Sequence, residues 1–133
     1  MKLSDNNPKN EKLKIEYQEY LKYHRNKTLK ADTVNSKFIH IDIFDEFCKY
    51  EDFSLYNSEK GKNFYEHLKS SDISYKTMFS YLSDISEFLE WVFHNKKVKN
   101  KKKLLDELIT LKPRDEDIRL CLSCLLGFFL QSL

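Results

Sequence analysis

Apolar residues recur at steps of three and four along the segment Ser71 to Asn95, SDISYKTMFSYLSDISEFLEWVFHN. Met78, Leu82, Ile85, Leu89 and Val92 form one stripe, and Tyr81 and Phe88 widen it, which predicts a long amphipathic helix with one face on a core. Ser71, Asp72 and Ser74 precede it as N-cap candidates, because a short side-chain oxygen there accepts a backbone N–H that has no partner within the helix.

The same period marks the other elements. Pro8 is placed to open a first helix, after a polar, Asn-rich start, and Leu13, Tyr17, Tyr20, Leu21 and His24 continue its stripe to about Arg25. The pattern leaves open whether this helix packs on the domain or reaches away from it. His24, on its apolar edge, reads as a partly buried, hydrogen-bonded side chain. After a connector, Asp32 is a plausible cap for a helix from about Thr33 to Lys49–Glu51, with Val34, Phe38, Ile41, Phe44 or Asp45, Phe47 and Cys48 on its inner face. Phe53 to Tyr56 predicts a linker that turns aromatics inward. Asn57 or Ser58 then caps a shorter helix bearing Phe64, Tyr65 and Leu68, in whose first turn Gly61 costs roughly 1 kcal/mol relative to Ala. Leu104, Leu105, Leu108, Ile109 and Leu111 predict a fourth core helix, stopped by Pro113. From Ile118 to Leu133, IRLCLSCLLGFFLQSL is apolar almost all round, which calls for burial in a core or an interface.

With only 2 Gly and 2 Pro in 133 residues there is little material for hairpins, and the fold class is all-α. The expected organisation is an N-terminal polar segment and helix (1–27), a helical core domain (28–112) and the apolar C-terminal segment (113–133). No uninterrupted apolar stretch reaches the roughly eighteen residues of a membrane span. The 3 cysteines, Cys48, Cys121 and Cys124, are an odd number with no signal peptide ahead of them, so a reducing, cytoplasmic setting is expected rather than a disulfide scaffold. Cys121 and Cys124 make a lone CxxC, short of the four ligands of a zinc site, and neither metal nor cofactor is expected. No Gly-rich phosphate loop, nucleophile elbow or metal-ligand spacing points to a stand-alone enzyme.

Charge adds a second pattern. Net charge is only +2, from 23 basic and 21 acidic side chains, so any affinity for nucleic acid has to come from local asymmetry. Such asymmetry exists along two helices. The long helix starts with Tyr75, Lys76, Thr77 and Ser80 and carries Asp84, Glu87 and Glu90 later. The helix from Thr33 starts with Thr33, Asn35, Ser36 and Lys37 and carries Asp42, Asp45 and Glu46 in its far half. A helix dipole alone favours the opposite order. Cations and hydroxyls around outward-pointing N–H groups suit phosphate. The run KKVKNKKK, Lys96 to Lys103, reads as a solvated linker that complements the end of the long helix, or else as a nonspecific phosphate contact.

Three stretches carry a resemblance: FIHIDIFDEFCKY (38–50), with Phe44 and Phe47 three apart near its end; the linker, short helix and small-residue turn EDFSLYNSEKGKNFYEHLKSSDIS (51–74); and YKTMFSYLSDISEFLEWVF (75–93), where Lys, then Thr, then leucines lead into a Phe and Trp cluster. Together, over roughly Tyr17 to Leu111, they resemble the N-terminal core-binding, or SAM-like, domain of phage integrases and other tyrosine recombinases.

The resemblance implies an orthogonal bundle of four core helices, here with an additional N-terminal helix and an apolar C-terminal helix. It also implies one half of a clamp on double-stranded DNA, laying the starts of two crossed helices along the major groove for DNA integration or recombination. By position, the groove-facing residues are Thr33, Asn35, Ser36, Lys37, Tyr75, Lys76, Thr77 and Ser80. Asn35 and Ser36 depart from the longer or basic groups often found there. The family's catalytic half, with its tyrosine nucleophile and His-x-x-Arg pattern, has no counterpart: none of the 4 histidines begins that pattern. The chain is therefore expected not to cut DNA by itself, the apolar segment to lead toward a missing catalytic domain, and the partners to be duplex DNA and other recombinase protomers. The alternative is a small helical protein-interaction or oligomerisation domain whose working surface is the apolar C-terminal segment.

Overall fold

In a computed structural model, residues 6–23 and 29–121 are described, and all their regular structure is helical. Five α-helices follow in order: α1 (Pro8–Tyr23), α2 (Ala31–Phe47), α3 (Ser58–Ser70), α4 (Tyr75–Asn95) and α5 (Lys101–Glu107). A 3-10 turn, Phe53–Leu55, precedes α3, another, Leu108–Leu111, continues α5, and residues 115–121 are again helical. His24, Cys124 and most of the apolar tail lie outside the described residues.

The long α4 is the axis of the core. Met78, Leu82, Ile85, Phe88, Leu89, Val92 and Phe93 are all buried along it, as its apolar period requires. Tyr17 of α1 meets Phe88 edge-on at 5.1 Å and Trp91 at 5.2 Å, while Phe44 of α2 meets Phe64 of α3 edge-on at 5.1 Å. Phe53, turned inward by its 3-10 turn, packs at 5.0 Å against Phe88. The aromatic linker thus behaves as its composition predicts, with Phe53 and Tyr56 both buried.

The first helix docks on the domain, and a polar node holds it there. Asn10 is fully buried; its side-chain amide donates to Asp45 of α2 at 3.0 Å and to the Glu51 carbonyl at 2.8 Å, and its oxygen accepts the Phe53 N–H at 3.1 Å. Beside it the Lys14 ammonium lies 2.8 Å from Asp45, 2.8 Å from Asp42 and 2.9 Å from Glu11. Burial works to lower the Lys14 pKa, but hydrogen bonds to Asp42, Asp45 and Glu11 outweigh it and hold the ammonium above the ordinary lysine value.

Two helix starts differ in detail from expectation. The N-cap of α2 is Lys30, with no side-chain cap bond, and Asp32 falls inside the first turn, where its carboxylate complements the dipole instead of capping. Asn57 does cap α3, accepting the Lys60 N–H at 2.9 Å, and Ser74 caps α4, accepting the Thr77 N–H at 3.1 Å.

Gly61 has a reason the sequence does not reveal. The Tyr56 hydroxyl and the Thr110 hydroxyl, hydrogen-bonded to each other at 2.7 Å, sit directly over it, and a Cβ there would collide with both oxygens and lie 2.9 Å from Thr110 Cβ. Further along, Tyr65 donates to the fully buried Asp117 at 2.6 Å and accepts the Arg114 N–H at 2.8 Å, so α3 holds the start of the C-terminal helical segment. Lys69 adds an ion pair to Asp117 at 3.2 Å.

Gly61→Ala should therefore destabilise the protein by about 1–3 kcal/mol in urea unfolding, although helix propensity alone favours Ala by roughly 1 kcal/mol; an unchanged or higher midpoint would show that the collision relaxes freely. A second expectation concerns alkaline pH. Burial pushes the Cys48 thiol from 9.0 up to about 11 and the Tyr56 phenol from 10.0 up to about 12, and burial together with the bond to Asp117 does the same for Tyr65. Groups raised on folding contribute stability below their unfolded values and lose it as pH climbs through the folded ones. Stability should hold to about pH 9 and fall by several kcal/mol toward pH 12, with Tyr56→Phe shallowing the fall; helical circular dichroism against pH, at fixed urea, reads it.

Candidate nucleic-acid interface

The start of α4 offers the most open polar surface among the expected site residues. Lys76, Thr77 and Ser80 are exposed, and the first turn contains no acid. The Ser74 hydroxyl donates to Thr77 Oγ1 at 3.0 Å, which leaves the threonine's own proton available to an external acceptor. Tyr75 is half-buried, its ring 6.1 Å from that of Phe79 on the same helix. It shapes the edge of this surface rather than projecting from it.

At the start of α2, Thr33, Asn35 and Ser36 are exposed. Lys37 is not: its side chain is only 13% exposed, and its ammonium lies 2.8 Å from Asp84 and 3.4 Å from Glu87, both on α4. These two acids of α4 thus lie against one of the basic helix starts. His40, one turn later, completes the bridge, with Nδ1 2.6 Å from Asp84 and its ring 4.0 Å from that of Tyr81.

Helical spacing shows which site residues this bridge gathers. Thr33, Lys37 and His40 share a stripe of α2, and Lys76, Ser80, Asp84 and Glu87 share a stripe of α4. The bridge presses the two stripes together, so Ser80 stands one turn from Asp84 and Lys76 two turns from it. Asn35 falls off the α2 stripe and lies one turn from Ile39, which is 56% exposed. The eight expected residues are thus a free cation with two hydroxyls on α4, a neutralised cation with a neighbouring threonine on α2, and outlying groups.

Much of the reversed charge order on α2 and α4 has an internal use. Asp42 and Asp45 hold Lys14 of α1, and Asp84 and Glu87 hold Lys37. The reversal is complete only on α4, since Asp32 occupies the first turn of α2. Residue spacing within a helix carries no signal for such cross-helix partners, which is why Asp84 does not stand out in the sequence.

The lysine run divides in the same way. Lys96 is half-buried, paired with Glu16 and 5.5 Å from the Trp91 ring centroid, so it ties the end of α4 to α1. The other lysines of the run, Lys97, Lys99, Lys101, Lys102 and Lys103, are exposed. Among the described residues no cluster of three or more His, Cys, Asp or Glu could hold a metal ion, and no helix is long and apolar enough to cross a membrane. Scanned against protein-family models, curated proteins and solved structures, the chain matches none.

Lys37→Met should lower the unfolding free energy by about 1–3 kcal/mol, since it leaves partly buried Asp84 without its lysine and with His40 as its remaining partner, whereas Lys76→Ala should change it by no more than about 0.5 kcal/mol. Urea denaturation of the two variants checks the contrast, and equal effects would show that Lys37 is as free as Lys76.

Proposed function

We propose that the chain is a DNA-binding module of the core-binding class found in site-specific tyrosine recombinases, gripping duplex DNA through the start of α4 with the start of α2 alongside. The observation that carries this reading is the exposed group Lys76, Thr77 and Ser80 on a helix whose first turn has no acid. The Lys76 ammonium supplies a charge-assisted contact to a phosphate oxygen, and the Thr77 and Ser80 hydroxyls donate to phosphate or base edges. Thr33, Asn35 and Ser36 contribute shorter polar contacts from α2. Lys37 acts differently from Lys76. By pairing with Asp84 and Glu87 it offsets one of their two negative charges and so weakens their repulsion of the phosphates that Lys76 attracts.

In this reading the helices cross as an orthogonal bundle. The chain binds without cutting, needs no cofactor, works in the cytoplasm and acts beside other protomers of the recombinase. The second reading, a protein-interaction or oligomerisation domain that uses the C-terminal segment, draws on Leu120 of that segment, which is 50% exposed, with Ile109, 71% exposed, in the turn before it.

The test is a salt series of duplex-DNA binding by fluorescence anisotropy. The chain should bind at low salt, and Lys76→Ala should weaken binding and reduce the slope of log K against log salt by about one. Lys37→Met, compared where it remains folded, should weaken binding by exposing Asp84. A folded chain that does not bind DNA at low salt overturns this reading; concentration-dependent self-association lost in Ile109→Ser/Leu120→Ser would then favour the second.

A further inference from the structure

The exposed part of the lysine run, Lys97 to Lys103, has no role in the proposed grip. It lies at the far end of α4, whose 21 residues, at about 1.5 Å each, set it roughly 30 Å from Lys76. No ion-pair partner faces Lys97, Lys99, Lys101, Lys102 or Lys103 among the described residues. A freely splayed lysine run would be an ordinary solvated linker. This one is folded.

Three features fix its shape. Lys96 anchors the entry through Glu16 and the Trp91 ring. Val98 is half-buried and packs against the core, so Lys97 and Lys99 on either side of it are exposed. Asn100 then adopts the left-handed conformation, φ 60 and ψ 41, a state that Asn tolerates better than most residues. It turns the chain straight into α5 and brings Lys103 back beside Lys97 and Lys99. All three lysines line one groove of about 470 Å³.

The opposite wall of that groove is the segment from Ser54 to Asn57. It too is held in place, because Lys60 donates to the Leu55 carbonyl at 3.2 Å and the Asn57 side-chain oxygen accepts the Lys60 N–H at 2.9 Å. Asn57 lines the groove, and its side-chain N–H groups have no hydrogen-bond partner among the described residues. Among the described residues, the groove's only acidic lining residue is Glu107. Three lysines that line one open groove concentrate positive charge there, and a bound anion relieves their mutual repulsion.

We infer that this groove is a second anion site, built for adjacent phosphate groups, independent of the start of α4. Lys97, Lys99 and Lys103 supply the charge, and Asn57 and Asn100 supply neutral donors. Adjacent phosphates occur in a nucleic-acid backbone and in a free polyphosphate, and both present the same oxygens to these lysines.

The full chain is titrated with inorganic tripolyphosphate and, separately, with a short duplex DNA, at low and moderate salt. Three proteins are compared: the parent, Lys97→Gln/Lys99→Gln/Lys103→Gln, and Lys22→Gln/Lys62→Gln/Lys112→Gln, which removes the same charge from exposed positions elsewhere. The groove variant should bind tripolyphosphate about tenfold more weakly, as expected for the loss of three modest charge contacts, and the control should stay within about twofold. If duplex binding falls in parallel, the groove takes a phosphodiester backbone; if only tripolyphosphate binding falls, it takes free polyphosphate. Equal loss in both variants, or no tripolyphosphate binding by the folded parent at low salt, overturns the site. Lys76→Ala separates the two proposals, since it should leave tripolyphosphate binding unchanged whatever it does to duplex DNA.

Discussion

Asn10 is the residue on which the arrangement of helices depends. A buried carboxylate such as Asp45 costs several kcal/mol unless it is both paired and hydrogen-bonded. Lys14 provides the charge and Asn10 the neutral donor. Asn10 also bonds both the Glu51 carbonyl and the Phe53 N–H, so the group that satisfies Asp45 sets the path of the chain after α2. That path turns Phe53 onto Phe88 of α4. One amide thereby couples the docking of α1, the end of α2 and the packing of α4, and this coupling is directional where apolar burial alone is not.

The bridge between Lys37, His40, Asp84 and Glu87 does for α2 and α4 what Asn10 does for α1 and α2. It lies near the expected interface, and its consequence there is electrostatic. Asp84 and Glu87 share a stripe with Lys76 and Ser80, so without Lys37 that stripe would present mixed charge to any anion. With Lys37 in place one of the two negative charges is offset, and Lys76 is the cation of that stripe that stays exposed. A lysine with no access to a ligand can therefore govern whether a neighbouring lysine binds one.

The parts of this structure that were legible in the sequence are those set by local spacing and local chemistry. The stripe from Met78 to Val92, the cap residues Asn57 and Ser74, the opening of α1 at Pro8 and the inward Phe53 and Tyr56 all follow from periods and propensities within a few residues. What was not legible depends on partners distant in the chain. Asp84 looks like an ordinary surface acid, Asp45 is only an alternative to Phe44 on the inner face of its helix, Asn10 is a plain polar residue just after Pro8, and Gly61 looks like a weak point instead of a clearance for Tyr56 and Thr110. At the candidate interface the exposed groups on α4 were readable because a helix start exposes its own side chains. The burial of Lys37 was not, because only the packing of α2 on α4 creates its partners.

Lopsided pairing explains how a chain with a net charge of only +2 presents concentrated positive surface. Lys14 alone faces Glu11, Asp42 and Asp45, and Lys37 alone faces Asp84 and Glu87. One cation that serves several carboxylates lets other lysines stay exposed without an ion-pair partner among the described residues. Among the described residues, exposed lysines without an ion-pair partner include Lys76 at one end of α4 and Lys97, Lys99, Lys101, Lys102 and Lys103 beyond the other, besides scattered ones such as Lys22, Lys62 and Lys112. Screening confines the field of each end to about 10 Å at moderate salt, so across roughly 30 Å the charges at the two ends do not reinforce each other. A uniform scatter of the same charges over the molecule would produce neither field.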